Sequence, residues 1–183
     1  MPSIPVDVLL EILEHVGRAD LARLCLVNKI CYSCAKDVLY REVHHPGERG
    51  IETLAQSIDL AKRVRSFRCE NLYPGLATAL QNMSSLRNLN LKFIRDASIM
   101  DGCTFKLDSF IGSFHDSESL RTFLRNQPSL TDLTLYTPVY SSWLSPLEGM
   151  CLPNLNRVTA FSCWQDVLIS CTSVPRILTQ RSH

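Results

Sequence analysis

The chain has 183 residues, 45% apolar and 20% charged, with 7 Gly and 9 Pro, enough apolar material for a substantial core and too little Gly and Pro for wholesale disorder or collagen-like repeats. Nineteen Lys and Arg against eighteen Asp and Glu leave a net charge of +1, so no global positive field draws the chain to nucleic acid or a membrane surface. No apolar run approaches the ~20 residues of a membrane span, and the N-terminus lacks a basic region followed by an apolar stretch, so neither a span nor a secretory signal is expected.

The first forty residues predict three short helices. Pro5 suits the first turn of a helix, where a missing N–H costs nothing, Asp7 suits the positive end of its dipole, and Gly17 is a natural stop. Val6, Leu9, Leu10 and Leu13 form a stripe at helical spacing, but Val8, Ile12 and Val16 are apolar too. A three-turn helix in a small bundle needs an apolar stripe roughly 100° wide, and this one has considerably more. The surplus predicts burial in a larger core or against a partner protein. Asp20 is the expected cap of a second helix carrying Leu21, Leu24, Leu26 and Val27. A third is predicted from Lys29 to Tyr40, with Cys31, Cys34, Ala35 and Val38 on one face.

The segments Ile4-Pro5-Val6-Asp7-Val8-Leu9-Leu10-Glu11-Ile12-Leu13, Leu24-Cys25-Leu26-Val27-Asn28-Lys29 and Val38-Leu39-Tyr40-Arg41 hold one register over some forty positions, and this pattern resembles an F-box. Two positions depart from the family pattern: Ile4 stands for the usual Leu, and Cys31 for the usual Trp or Phe. The missing aromatic removes contact area and bears on adaptor affinity rather than adaptor identity.

After a polar connection from His44 to Gly50, Ile51, Leu54, Ala55 and Ile58 predict a further amphipathic helix. A short motif, apolar-x-x-apolar-x-apolar, then recurs from Val64, Leu86, Leu107 (weakly), Leu130 and Leu155, at steps of 22, 21, 23 and 25 residues. These steps fall in the period of about 20–29 residues of leucine-rich repeats, whose core is L-x-x-L-x-L. Leu76, Ala79, Leu80 and Met83, and later Leu120, Phe123 and Leu124, predict helices between copies. The Asn or Cys that usually follows the motif is absent from most copies, and leucine strings at such spacing also arise in ordinary α/β domains. The expected fold is therefore α/β: a three-helix F-box over residues 1–45, followed by a short, irregular leucine-rich-repeat-like solenoid over 46–183. The tail from Trp164 to His183, with Val167, Leu168 and Ile169, is the candidate cover for the last strand's open edge, unless the chain is incomplete there.

Chemical candidates are few. Cys31-Tyr32-Ser33-Cys34, with His44 and His45 ten residues on, has metal-like or redox-like spacing, but the dyad falls mid-helix on the face of Ala35 and Val38, where thiols pack as small hydrophobes. The eight cysteines show no pairing rhythm and are expected to be reduced, inside a cell; the Asn82-Met83-Ser84 sequon is then a chance match. Lys62, Arg63, Arg65 and Arg68 form a basic cluster without the interleaved aromatics of a nucleic-acid surface, read as a solvated helix end and strand edge that could meet an acidic segment. His115 and Asp116, with Ser113, Ser117 and Ser119, lack a nucleophile elbow, and no phosphate-cradling glycine loop or H-E-x-x-H motif occurs. Trp143 and Trp164 read as packing residues. No catalytic residue, metal ligand or cofactor is expected.

The joint pattern of F-box and irregular leucine-rich repeats resembles the F-box/leucine-rich-repeat substrate receptors common in fungi. The resemblance implies a substrate-recognition subunit of a Skp–cullin–F-box ubiquitin ligase, in the cytoplasm, the nucleus or both. It implies a Skp-type adaptor as partner, docked on Ile4, Pro5, Val8, Leu9, Ile12, Leu13, Leu24, Val27, Asn28 and Lys29, a cullin reached through that adaptor, and an unknown target protein, with neither nucleic acid nor membrane. Because side chains alternate along a strand, the residues between the repeat leucines are expected on a solvent face: Ser66, Arg68 and Glu70 beside Asn88, Asn90 and Lys92, then Asp132, Thr134 and Tyr136, then Arg157, Thr159 and Phe161. Of these, Tyr136 and Phe161 are the expected anchors. The alternatives are a leucine-rich scaffold or inhibitor with no ubiquitin link and, more remotely, a metal- or redox-active enzyme using Cys31 and Cys34.

Overall fold

A computed structural model of the chain describes residues 4–114, 118–137 and 152–162. Helix α1 (Val6–Glu14) starts from Pro5, whose φ of −56° is already that of a helix. Helix α2 (Arg18–Leu24) is capped by Gly17 rather than by Asp20. Asp20 lies inside its first turn, where it favours the dipole and pairs with Arg23 at 3.0 Å. Helix α3 (Lys29–Arg41) begins at Asn28, whose side chain accepts the Cys31 N–H at 2.9 Å. Both α1 and α2 pack on α3. Their shared interior is small: Leu13, Leu21, Cys34 and Ala35, flanked by half-buried Leu9, Leu10, Val16, Leu24, Cys25, Val38 and Leu39.

Helix α3 runs without a linker into strand β1 (Glu42–His44). The Arg18 guanidinium donates to the carbonyls of Glu42 (3.0 Å) and Leu39 (3.3 Å), so α2 satisfies carbonyls at the α3 terminus that the helix leaves free. Strands β2 (Ser66–Arg68), β3 (Asn88–Leu91), β4 (Ser109–Gly112), β5 (Asp132–Thr137) and β6 (Arg157–Ser162) follow. All six pair in parallel and in chain order, β1-β2-β3-β4-β5-β6. Val43, Phe67, Leu89, Phe110, Leu133 and Val158 are opposite one another in register, one from each strand, and all are buried.

The connections carry helices α4 (Glu48–Gln56), α5 (Ile58–Ala61), α6 (Leu76–Asn82) and α7 (Glu118–Arg125), and a 3-10 turn at Ala97–Met100 between β3 and β4. Helix α4 packs on α6, α6 on the 3-10 turn, and the turn on α7, with the main core between this row and the sheet. Aromatic rings pack together in the core around β4 and α7: Phe110 meets Phe123 edge-on at 5.4 Å and stacks on Phe114 at 5.7 Å, and Phe105 meets Phe123 at 6.0 Å. Gly112 permits the stack, because a Cβ there would occupy the space of the Phe114 ring.

All five predicted strand segments carry a strand. Strand β1 was not expected, and the predicted helix over Ile51–Ile58 is two pieces. Ser57 ends α4 with an extended backbone and caps α5 through its hydroxyl, which leaves Ile58 exposed. Trp143, Trp164, His115, Asp116, Ser117 and the tail from Trp164 lie outside the described residues.

Polar side chains tie successive turns together. Gln127, the one buried polar residue among those described, accepts the Leu107 N–H at 2.8 Å and donates to the Phe105 carbonyl at 3.3 Å. Asn82 donates to the Ala55 carbonyl at 2.9 Å, and Asn154 to that of Pro128 at 2.9 Å. Leucine at position 127 keeps the volume but orphans two buried backbone groups, so Gln127→Leu should lower the free energy of unfolding by about 2–3 kcal/mol in a urea titration. A loss below about 0.5 kcal/mol would show that these bonds do not hold the turns.

Candidate functional site

Eleven large apolar side chains are exposed among the described residues, and eight of them, Ile4, Val6, Val8, Ile12, Leu26, Val27, Ile30 and Tyr32, belong to the first three helices and their turns. A small bundle cannot bury every apolar residue of a helix as short as α1. Leu9, Leu10, Leu13 and Val16 turn inward onto the bundle, and Ile4, Val6, Val8 and Ile12 turn outward. Such a concentration of apolar side chains is what protein-docking surfaces present to water.

The residues assigned to the adaptor surface therefore divide. Ile4, Pro5, Val8, Ile12, Val27, Asn28 and Lys29 are exposed. Leu13, only 2% exposed, is a core residue of the bundle, and Leu9 and Leu24 are half-buried against the same core. Asn28 already spends its side-chain oxygen on the α3 cap. Val6, Leu26, Ile30 and Tyr32 are outward residues outside the adaptor assignment, Val6 and Leu26 being read from the sequence as helix-face residues. The signal at Leu26 and Val27 is an apolar pair in the turn after α2 with no helix face to join.

A second surface is the outward face of the sheet. One row across it reads Ser66, Asn88, Ser109, Asp132 and Arg157, and the next reads His44, Arg68, Asn90, Ile111, Thr134 and Thr159. Ser66 and Arg68 are thus beside Asn88 and Asn90 as expected, and β4 places Ser109 and Ile111 between these and Asp132 and Thr134. Arg68 donates to Glu70 at 2.7 Å, and His45 Nδ1 is 3.8 Å from the same carboxylate. The Arg68 hydrogen bond, helped by the charge of His45, holds the Glu70 carboxyl below the usual carboxylate range. Lys92 reaches across β4 to lie 4.9 Å from the Tyr136 ring centroid and 5.2 Å from that of Phe93. Arg157 and Asp132 pair at 2.6 Å; the Thr131 hydroxyl first, and then Arg157, lower the Asp132 pKa. The Asn90 side-chain oxygen is buried without a hydrogen-bond partner. Phe161 is opposite Tyr136 in register, but its side chain lies outside the described residues.

No group of three or more metal-ligating side chains occurs among the described residues. Cys34 is buried in the helical core and Cys31 is half-buried. Burial pushes the Cys103 thiol up to about 12 and also raises Cys69, so both stay protonated at neutral pH.

Compared with known families, residues 1–42 match the F-box domain. Helices α1–α3 lie within the matched residues. No curated protein matches the chain.

The division of α1 into two faces has a direct consequence. Leu13→Ala should cost about 2–5 kcal/mol of folding stability by leaving a cavity, whereas Ile12→Ala, one residue away, should change it by less than about 1 kcal/mol. Equal losses in chemical denaturation would mean that α1 is rotated relative to this description.

Proposed function

We propose that the chain is the substrate-recognition subunit of a Skp–cullin–F-box ubiquitin ligase. In this reading the outward girdle of α1 and the turn at Leu26–Val27 bind a Skp-type adaptor, which links the chain to a cullin. The strands form a leucine-rich-repeat-like solenoid, and their outward face holds the target protein. The chain does no chemistry itself; it raises the effective concentration of target near the ubiquitin-loaded enzyme by tethering. Such work belongs in the cytoplasm, the nucleus or both. The observation that carries the reading is the concentration of eight exposed apolar side chains on a domain matching the F-box. The in-register parallel ladder and its L-x-x-L-x-L strands favour the repeat assignment for the remainder.

Co-expression with a Skp-type adaptor should yield a stoichiometric complex. Each fully buried Val or Ile contributes about 1.5–3 kcal/mol, so Ile12→Ala with Val27→Ala should weaken binding by about a hundredfold or more without unfolding the bundle. A chain that binds no adaptor would favour the second reading, a scaffold or inhibitor without a ubiquitin link.

For the target, Tyr136 beside Lys92 is the best anchor, a rigid aromatic already paired with a cation. Tyr136→Ala should strip target proteins from the tagged chain while adaptor binding and thermal stability persist. An unaltered set of co-purifying proteins places the target elsewhere.

A further inference from the structure

We propose that the cavity between the F-box helices and the turns entering β2, β3 and β4 is a binding site for a compact, phosphate-rich anion. The inference is independent of the ligase reading. The cavity holds about 750 Å³ and is lined by six cations, Arg41, Lys62, Arg63, Arg65, Arg87 and Lys106, against a single carboxylate, Asp37. Its volume lies in the range of about 300–1,000 Å³ of small-molecule sites and suits a small polyanion better than a protein surface or a duplex.

The backbone builds this concentration of charge. The Arg65 N–H donates to the Arg41 carbonyl at 2.8 Å, and the Arg87 N–H to the Arg65 carbonyl at 2.8 Å. The three arginines therefore hold the same place on three successive rungs, about 4.8 Å apart, the spacing of neighbouring strands. Like charges so placed repel, and the ladder's hydrogen bonds prevent the backbone from separating them. The row ends at the next rung, where the Asp108 N–H donates to the Arg87 carbonyl at 2.8 Å.

Internal partners offset only part of the charge. Arg41 is paired with Glu14, and Arg63 with Asp37 and Asp59. Among the described residues Arg87 has only Asp108, at 3.7 Å, and the Lys106 ammonium donates to the Asn126 carbonyl. Lys62 and Arg65 form no ion pair among the described residues; the carboxylate that feels Arg65 is Glu14, already engaged by Arg41. A second, separate observation is that Arg63, which lines the cavity, has its Nε buried with no hydrogen-bond acceptor. Ser84 and Ser85 line the same cavity.

Phosphate fits this donor set. Each group carries about −1.5 to −2 charges and three acceptor oxygens, and the planar guanidinium fork engages two of them at once. Linked phosphates match a row of arginines repeated at strand spacing, whereas a neutral ligand leaves the repulsion in place. A ligand bridging Arg41 of the F-box to Arg65 and Arg87 of the ladder would also fasten the two parts together, so binding should register as thermal stabilisation.

The test uses the full chain, with tripolyphosphate as probe and inorganic phosphate and sodium chloride at matched ionic strength as comparisons. Tripolyphosphate should bind saturably in calorimetry and raise Tm, with inorganic phosphate at least tenfold weaker. Arg65→Ser with Arg87→Ser should reduce tripolyphosphate affinity at least tenfold, and Arg68→Ser, outside the cavity, should not. If the double variant folds poorly, Lys62→Gln at the exposed end of α5 serves instead, with an expected three- to tenfold loss. Stabilisation reproduced by sodium chloride, affinity unchanged in these variants, or binding of a phosphorylated peptide without binding of tripolyphosphate would each overturn the proposal.

Discussion

The structure depends on one repeated backbone interaction: the carbonyl at the entry to each strand accepts an N–H from the entry to the next. Arg41, Arg65, Arg87, Asp108 and Thr131 are the successive acceptors. This bonding fixes the register, and the register places every other group of interest. Inward, it stacks one buried apolar residue per strand into a continuous core. Outward, it aligns mainly polar side chains into rows, and at the strand entries it lines up three arginines. Because α3 passes directly into β1, the same bonding begins at Arg41, the last residue of α3. The first three helices therefore join the ladder without a linker between α3 and β1.

Electrostatics reinforce that junction. Arg18 reaches from α2 to the end of α3 and to β1, Glu14 of α1 pairs with Arg41, and Lys36 and Asp37 of α3 pair with Asp59 and Arg63 of the following segment. The Arg41 hydrogen bond first, and its charge second, lower the Glu14 pKa. Each pair is exposed or half-exposed and individually weak. Together they supply directional contacts where the apolar interior is thinnest, since only four residues of the helical bundle are fully buried.

Much of this was legible in the chain, for identifiable reasons. The strands announce themselves because apolar positions at fixed offsets survive irregular spacing, and the first three helices because their pattern keeps one register. Strand β1 has one apolar residue, Val43, and takes its pairing from β2 rather than from its own composition. The break at Ser57 is a local contest between helix continuation and a side-chain cap, which periodicity does not register. The two faces of α1 were not separable by pattern, because apolar residues surround most of the helix; only packing on α3 assigns Leu13 inward and Ile12 outward. The arginine row is invisible to any short window, since Arg41, Arg65 and Arg87 are neighbours only after folding. The basic cluster noted around Lys62 was half of that site, and its fourth member, Arg68, points to a different pairing, with Glu70.

The central claim is that the helical domain docks an adaptor through its outward apolar girdle while the ladder stays free for a target. Hydrogen–deuterium exchange of the full chain, alone and saturated with a Skp-type adaptor, tests both halves at once. The account predicts new protection confined to α1 and to residues 26–32, with β2 to β5 unchanged. Protection centred on the strands, or none on α1, would contradict it.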